Sequence, residues 1–299
     1  MVQYKMDRRK RNIEIFRDTQ YRIATDPRIA FLTRKSIDNT CVIDGIYKSR
    51  REPRGINTRI SFTQNPSLVP AVEMARKYKK TAVLNFANAT RPGGGVLKGA
   101  VAQEEYICRL TNLYNCLISE AASQYYKKHK ELRNRYYNSK NFVATDSIVY
   151  SPDILVFKEC KYGCEYSEDE KYGFIENSKE WVQINIITCA APYFADSQFC
   201  LPDRALEEIF TKRIRNIFEV AIEYKIESLV LGAFGCGAFN NPPELVAKTF
   251  NMVLNEERYV NAFSDVIFAV TGSGRHSQNV NVFKDYFNIS CKNKGGAFI

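Results

Sequence analysis

TAVLNFANATRPGGGVLKGAVAQEEYICRL, residues 81–110, contains the transition that decides the fold. Thr81–Phe86 is a continuous apolar run of strand length, and from Gln103 the apolar residues return at helical spacing. Continuous runs of this kind suit strands buried on both faces. Further apolar runs at Val182–Cys189, Ser228–Ala233 and Asp265–Val270 repeat the pattern. Between them, amphipathic helices are expected from Gln103 towards Lys128, over Asp203–Tyr224 and from Pro243 onward. Residues 142–157 read as two strands joined at Ser151-Pro152. Alternating strands and helices predict an α/β fold, a mixed sheet flanked by helices. Ligands in such folds sit beyond the carboxyl ends of the strands.

Upstream of residue 81 the character differs. Residues 8–35 read as helical, Cys41–Ile43 as a short strand, and the chain to Asn57 as an Arg-rich loop. Pro66 and Pro70 bracket the entry to a second helix, which runs to about Lys80. Residues 1–80 are therefore expected to form an N-terminal helical extension packed on a core of residues 81–299, together one continuous domain.

The 299 residues are 45% apolar and 25% charged, so the chain can bury a full core without disulfides or metals. No apolar run reaches the roughly 18–20 residues that span a bilayer, and the start lacks a signal-peptide apolar region. A soluble, cytoplasmic protein without membrane attachment is the expectation. The nine cysteines are expected as reduced, mostly buried thiols. Cys160 and Cys164 are the closest pair, and with only His129 and His276 as imidazoles no metal site is expected. The net charge is +10, and residues 1–54 carry 14 Lys and Arg against 7 Asp and Glu, densest at Arg8-Arg9-Lys10-Arg11. Such a surplus attracts polyanions, although a solvated helix face accounts for it equally.

Two strand ends open into glycine-rich turns that lead into helices. In the first, Gly93, Gly94 and Gly95 let a ligand approach the backbone amides. Gln103, Glu104 and Glu105 follow at a helix start. At about 100° per residue the two glutamates are expected to point in different directions and to perform separate tasks. Acidic residues also suit a helix N-terminus without any catalytic role. The second turn is Gly235-Cys236-Gly237-Ala238-Phe239, with Asn240 or Asn241 as a candidate helix cap and a proline at the first helical position. Exposed amides beside a helix N-terminus form an anion site, most naturally for phosphate. Asn240 stands where a dinucleotide fingerprint needs its third glycine, and the Gly-Lys-Ser/Thr of a phosphate-binding P-loop is absent. A diphosphate cradle beside paired glutamates points to chemistry on a phosphorylated sugar. A glutamate there can protonate a leaving oxygen and then activate water.

Gly93-Gly94-Gly95 followed by Gln103-Glu104-Glu105 resembles the signature of poly(ADP-ribose) glycohydrolases, the bacterial type in particular. Gly235–Phe239 resembles their diphosphate loop, and Tyr150–Asp153 and Cys189–Pro192 support the likeness along nearly the whole chain. The resemblance implies a macrodomain-like fold and hydrolysis of ribose–ribose bonds in poly(ADP-ribose), with ADP-ribose as product. It implies Glu105 as general acid and base, Glu104 holding ribose hydroxyls, Gln103 supporting the loop and Asn88 binding the terminal ribose. It further implies that Gly235, Cys236, Gly237, Ala238 and Phe239 wrap the diphosphate, with Phe239 against the ribose. Tyr193 stands where the bacterial pattern has Asn. No cofactor is implied, and nucleic acid is not an expected partner. Two alternatives use the same pocket: removal of single ADP-ribose groups from proteins or metabolites, and ADP-ribose binding without catalysis. The residues that contact adenine stay open among Asp44–Tyr47 and Thr271–Ser277.

Overall fold

The computed structural model describes residues 7–135, 141–160, 167, 170–195, 201–272 and 277–287. Cys164, Cys200, Cys291 and His276, with residues 273–276 of the adenine candidates, lie outside the described residues.

Seven strands form one mixed sheet: β1 (Cys41–Ile43), β2 (Arg59–Thr63), β3 (Thr81–Phe86), β4 (Ile148–Val156), β5 (Val182–Cys189), β6 (Ser228–Leu231) and β7 (Asp265–Ala269). Their order is β1-β4-β5-β3-β6-β7-β2. β5, β3, β6, β7 and β2 run parallel, and β4 and β1 add an antiparallel edge. β3 lies at the centre, with Val83 paired to Ile186 on one side and Val230 on the other. Its alternate residues serve opposite faces, as strand geometry requires. Ala82 and Leu84 join the core under helices α7 (Asp203–Glu223), α8 (Pro243–Leu254) and α9 (Ser277–Phe287). Val83 joins the core under α1 (Arg8–Thr25), α3 (Leu68–Lys77), α4 (Gln103–Leu110), α5 (Leu113–Leu117) and α6 (Glu120–Arg135).

Local chemistry redraws several expected elements. The helix expected over 8–35 is two, α1 and α2 (Pro27–Asp38), because Pro27 opens the second and the Asp26 side chain caps it through Arg28 N–H at 2.9 Å. The helix expected from Gln103 to Lys128 is three. Thr111 leaves helical conformation at φ −140° to bridge Val156, while its hydroxyl bonds the Ile107 carbonyl and accepts from Leu113 N–H. Residues 148–156 form one bulged strand, not two. The register shifts between Ser151 and Ile154, which accommodates Pro152 and the positive φ of Asp153.

The expected boundary at residue 80 runs through the sheet. β1 and β2, both within residues 1–80, are its two edge strands, and β2 pairs with β7 in parallel from Arg59 to Thr63. That stretch is helical only in part, because the open edges of β4 and β7 recruit its short extended runs. No described helix is long and apolar enough to cross a membrane. Of the six described cysteines, all free, Cys108, Cys116, Cys189 and Cys236 are buried.

Candidate active site

Gln103 locks the start of α4 to β3. Its Oε1 accepts from Phe86 N–H at 2.9 Å and its Nε2 donates to the Leu84 carbonyl at 2.8 Å. A side chain thus completes hydrogen bonds left open at the end of the strand, and the first turn of α4 is held above it.

Both glutamates of that turn are buried. Glu104 Oε2 accepts from Asn88 N–H at 2.8 Å, and Asn85 Nδ2 approaches Oε1 at 3.4 Å. Glu105 Oε1 accepts from Gly95 N–H at 2.7 Å, while Glu105 Oε2 is buried with no hydrogen-bond partner among the described residues. The expectation that the two carboxylates diverge is not met. The glycine loop folds over the helix start, and both carboxylates reach the same point above Gly94. A Cβ on Gly94 would fall on Glu105 Oε1 and lie 2.9 Å from Glu104 Oε2. Gly94 also has φ +58°, so a glycine is needed for space and for conformation. Burial pushes Glu104 up to about 8, and the charge of Glu105 adds to this. The N–H groups of Asn88 and Gly93 and the Asn85 amide oppose it.

Asn88, expected to bind the terminal ribose, also shapes its own loop. Its Oδ1 accepts from Thr90 N–H, Thr90 Oγ1 and Arg91 N–H at 3.0–3.1 Å, an Asx-type turn that shapes the loop. Its Nδ2 has no protein partner among the described residues, and its backbone N–H holds Glu104.

The second loop leaves β6 beside β3. Asn241 does not cap α8, whose first residues follow Pro242 without a side-chain cap. Instead Asn241 Nδ2 staples the loop, donating to Pro192 O at 2.7 Å and Gly235 O at 3.0 Å. Pro243 does open α8, as expected. Cys236 turns its thiol inward and presents only backbone to the loop. Its Sγ lies 3.7 Å from Phe234 O, burial raises the thiol, and its carbonyl accepts from Asn279 Nδ2 at 3.2 Å. A Cβ on Gly237 would meet open space, Ala238 is exposed, and Phe239 is half-buried. Phe239 packs edge-on against Tyr193, ring centroids 5.4 Å apart. Tyr193 is fixed in turn by reciprocal backbone bonds with Phe142 at 2.8 Å.

Asn85 and Thr188 were not among the expected site residues. Asn85 Nδ2 reaches Thr188 Oγ1 at 3.3 Å, and Asn85 Oδ1 is buried and unpartnered beside Glu104. An asparagine inside the apolar run TAVLNF was the available signal, since a buried amide needs a polar reason. Among the described residues no cluster of His, Cys, Asp and Glu is arranged to hold a metal ion.

Comparison with known proteins bears on this site. The model of the family described as microbial-type PARG, catalytic domain, matches residues 10–159. The crystal structure of poly(ADP-ribose) glycohydrolase (PARG) from Thermomonospora curvata is 26% identical, with a TM-score of 0.76, covering 93% of this chain and all of that one. The same enzyme bound to the inhibitor ADP-HPD aligns at 25% identity and a TM-score of 0.73, with the same coverage. A PARG variant from Deinococcus radiodurans in complex with ADP-ribose is 28% identical, TM-score 0.70, covering 85% of this chain and 96% of that one. No curated protein sequence matches the chain.

Proposed function

The chain belongs to the microbial-type PARG family, and from that premise we propose that Glu105 performs the acid–base chemistry of this enzyme. The reaction is hydrolysis of the ribose–ribose O-glycosidic bonds of poly(ADP-ribose), with release of ADP-ribose. The observation that carries the assignment is the Glu105 carboxyl group itself. One oxygen is pinned by Gly95 N–H, and the other is buried with no donor or acceptor. A buried oxygen left in that state is costly until a ligand pairs with it.

The proton on Glu105 Oε2 passes to the departing ribose oxygen as the C–O bond breaks and positive charge spreads over the anomeric carbon and ring oxygen. The resulting carboxylate then takes a proton from the water that attacks the anomeric carbon, which restores the acid. Glu104 aligns ribose hydroxyls, and Asn88 Nδ2 is available to join it. Because burial keeps Glu104 protonated near neutral pH, it adds little negative charge beside a diphosphate substrate. Gly235–Phe239 supply backbone amides to that diphosphate at the N-terminus of α8, and Phe239 orients the ribose. The substrate is poly(ADP-ribose) or an ADP-ribosylated protein, and ADP-ribose is the product. Action in the cytoplasm fits the six free thiols among the described residues.

The test is release of ADP-ribose from purified poly(ADP-ribose) by the wild type beside Glu105→Gln. Release by the wild type alone supports the assignment. Equal release by both moves the acid elsewhere, and release by neither rejects the polymer as substrate.

A further inference from the structure

The basic block at the start of α1 lies against the loop that holds Glu105. Asn12 Nδ2 donates to the Gly99 carbonyl at 3.0 Å, and a Cβ on Gly99 would fall on the Arg9 carbonyl oxygen. The loop between is short. From Gly95, whose N–H holds Glu105, the chain makes one 3₁₀ turn over Val96–Lys98 and reaches Gly99. Arg8, Arg9 and Lys10 are exposed and Arg11 is half-buried. Lys98, on that turn, is exposed as well. Among the described residues none of these five cations pairs with a carboxylate. The nearest acid along the helix, Asp7, is taken up by the cap bond to Arg9 N–H. On the same turn Leu97 is 64% exposed, and Val101 beyond it is 52% exposed, so apolar surface lies among the cations.

The two sides of the site belong to opposite faces of the sheet. The loop proposed for the diphosphate runs into α8, which packs in one core, whereas α1 and α4 pack in the other. Substrate that spans the glutamates therefore has its terminal diphosphate on the α8 side. Whatever is attached beyond the scissile bond leaves on the α1 side. We propose that Arg8, Arg9, Lys10, Arg11 and Lys98 form a rim that binds the phosphates of the remaining poly(ADP-ribose) chain, the part retained after each cleavage, with Leu97 and Val101 against its nucleosides. This rests on the reading of Glu105 as the acid. A polymer with two negative charges per unit is opposite in sign to these cations, and the rim is continuous with the catalytic loop. The rim gives affinity for polymer over a single ADP-ribose and keeps the shortened chain near the site for the next turn.

The experiment compares the wild type with Arg8→Gln/Arg9→Gln/Lys10→Gln/Arg11→Gln, a charge-retaining Arg8→Lys/Arg9→Lys/Arg11→Lys block, and a charge-matched Lys127→Gln/Lys130→Gln/Lys179→Gln/Lys284→Gln control. For the Gln block, kcat/KM on long polymer is expected to fall about tenfold at low ionic strength. Its slope against log salt should flatten by about 0.7 for each phosphate that the rim no longer neutralises. Its kcat and its Kd for free ADP-ribose should stay within about twofold, below the effect of removing one charged hydrogen bond. The Lys block should behave as wild type and the control should show no comparable fall. Unchanged polymer kcat/KM in the Gln block, or an equal fall in the control, would overturn the rim. Affinity for end-labelled polymer, measured in a Glu105→Gln background, reads the rim without turnover. A wild type inactive on polymer therefore counts against the proposed function, and unchanged polymer affinity counts against the rim.

Discussion

Gly95 N–H and Glu105 Oε1 stand 2.7 Å apart, and this bond fixes one carboxylate oxygen while the other stays buried and unpartnered. A glycine-loop amide and a helix side chain are thereby joined into one unit, so the loop and the acid cannot be altered independently.

Gly94→Ala should disable the enzyme. The new methyl group would fall on Glu105 Oε1 and crowd Glu104 Oε2 at 2.9 Å, and φ +58° strains any non-glycine residue by about 1–3 kcal/mol. We expect kcat to fall by roughly a hundredfold or more, because a misplacement of about 1 Å at the reacting groups has that effect. Steady-state ADP-ribose release with thermal unfolding in parallel measures both; wild-type kcat in a folded variant would refute the packing argument.

Glu104 ties stability to pH. Its folded value lies near 8 against an ordinary 4.5, so the folded state binds the extra proton between those limits. Stability from this group is complete below about pH 4.5 and is lost as pH rises through 8, with a slope of at most about 1.4 kcal/mol per pH unit. Glu104→Gln removes that slope. Denaturant midpoints of the two proteins between pH 5 and 8 should converge at low pH and separate at high pH, the variant being the more stable. Parallel curves would contradict the buried, protonated Glu104.

Asn241→Ala should loosen the second loop. It deletes the side-chain bonds to Pro192 O and Gly235 O and leaves the buried Pro192 carbonyl without that donor, whereas Gly235 O keeps the Asn241 backbone N–H, at about 1–3 kcal/mol. Calorimetric titration with ADP-ribose should show weaker binding by about tenfold, the equivalent of 1.4 kcal/mol. An unaltered Kd would mean that the loop is held by something else.

Arg213 is a purely structural case. It is buried, donates to Ala190 O and Ala144 O at 2.7 Å, and pairs with Asp146 at 3.1 Å, which fastens α7 to the chain on both sides of the sheet end. Arg213→Met should cost about 3–5 kcal/mol, since two carbonyls and a carboxylate lose their donor. Chemical denaturation measures this directly, and a destabilisation below about 1 kcal/mol would show that water replaces the guanidinium.

Much of this fold was legible residue by residue. β3 at Thr81–Phe86 and β5 at Val182–Cys189 match the apolar runs to the residue, because strands largely buried on both faces are mostly apolar, with Asn85, Gln183 and Asn185 as isolated polar positions. β2 was not legible: five residues of mixed exposure at an edge carry no such signature. Thr111 and Pro27 broke helices that apolar spacing joined, since a hydroxyl back-bond or a ring acts on single residues beneath the period.

At the site, residue identity and chain order named the glycine triplet, Gln103-Glu104-Glu105 and the Gly235–Phe239 turn as chemically capable, and the likeness to a family followed from them. Tertiary structure alone decided what each group does to its neighbours. It turned two glutamates expected to diverge onto one glycine and pushed Glu104 up by burying it. It made Asn241 a staple instead of a cap and brought Arg8–Arg11 beside a loop almost ninety residues away. The physical reason is one of range. Covalent geometry and side-chain periodicity act within a few residues and can be read along the chain, whereas desolvation, hydrogen-bond pairing and charge proximity depend on distances that exist only after the two cores have closed.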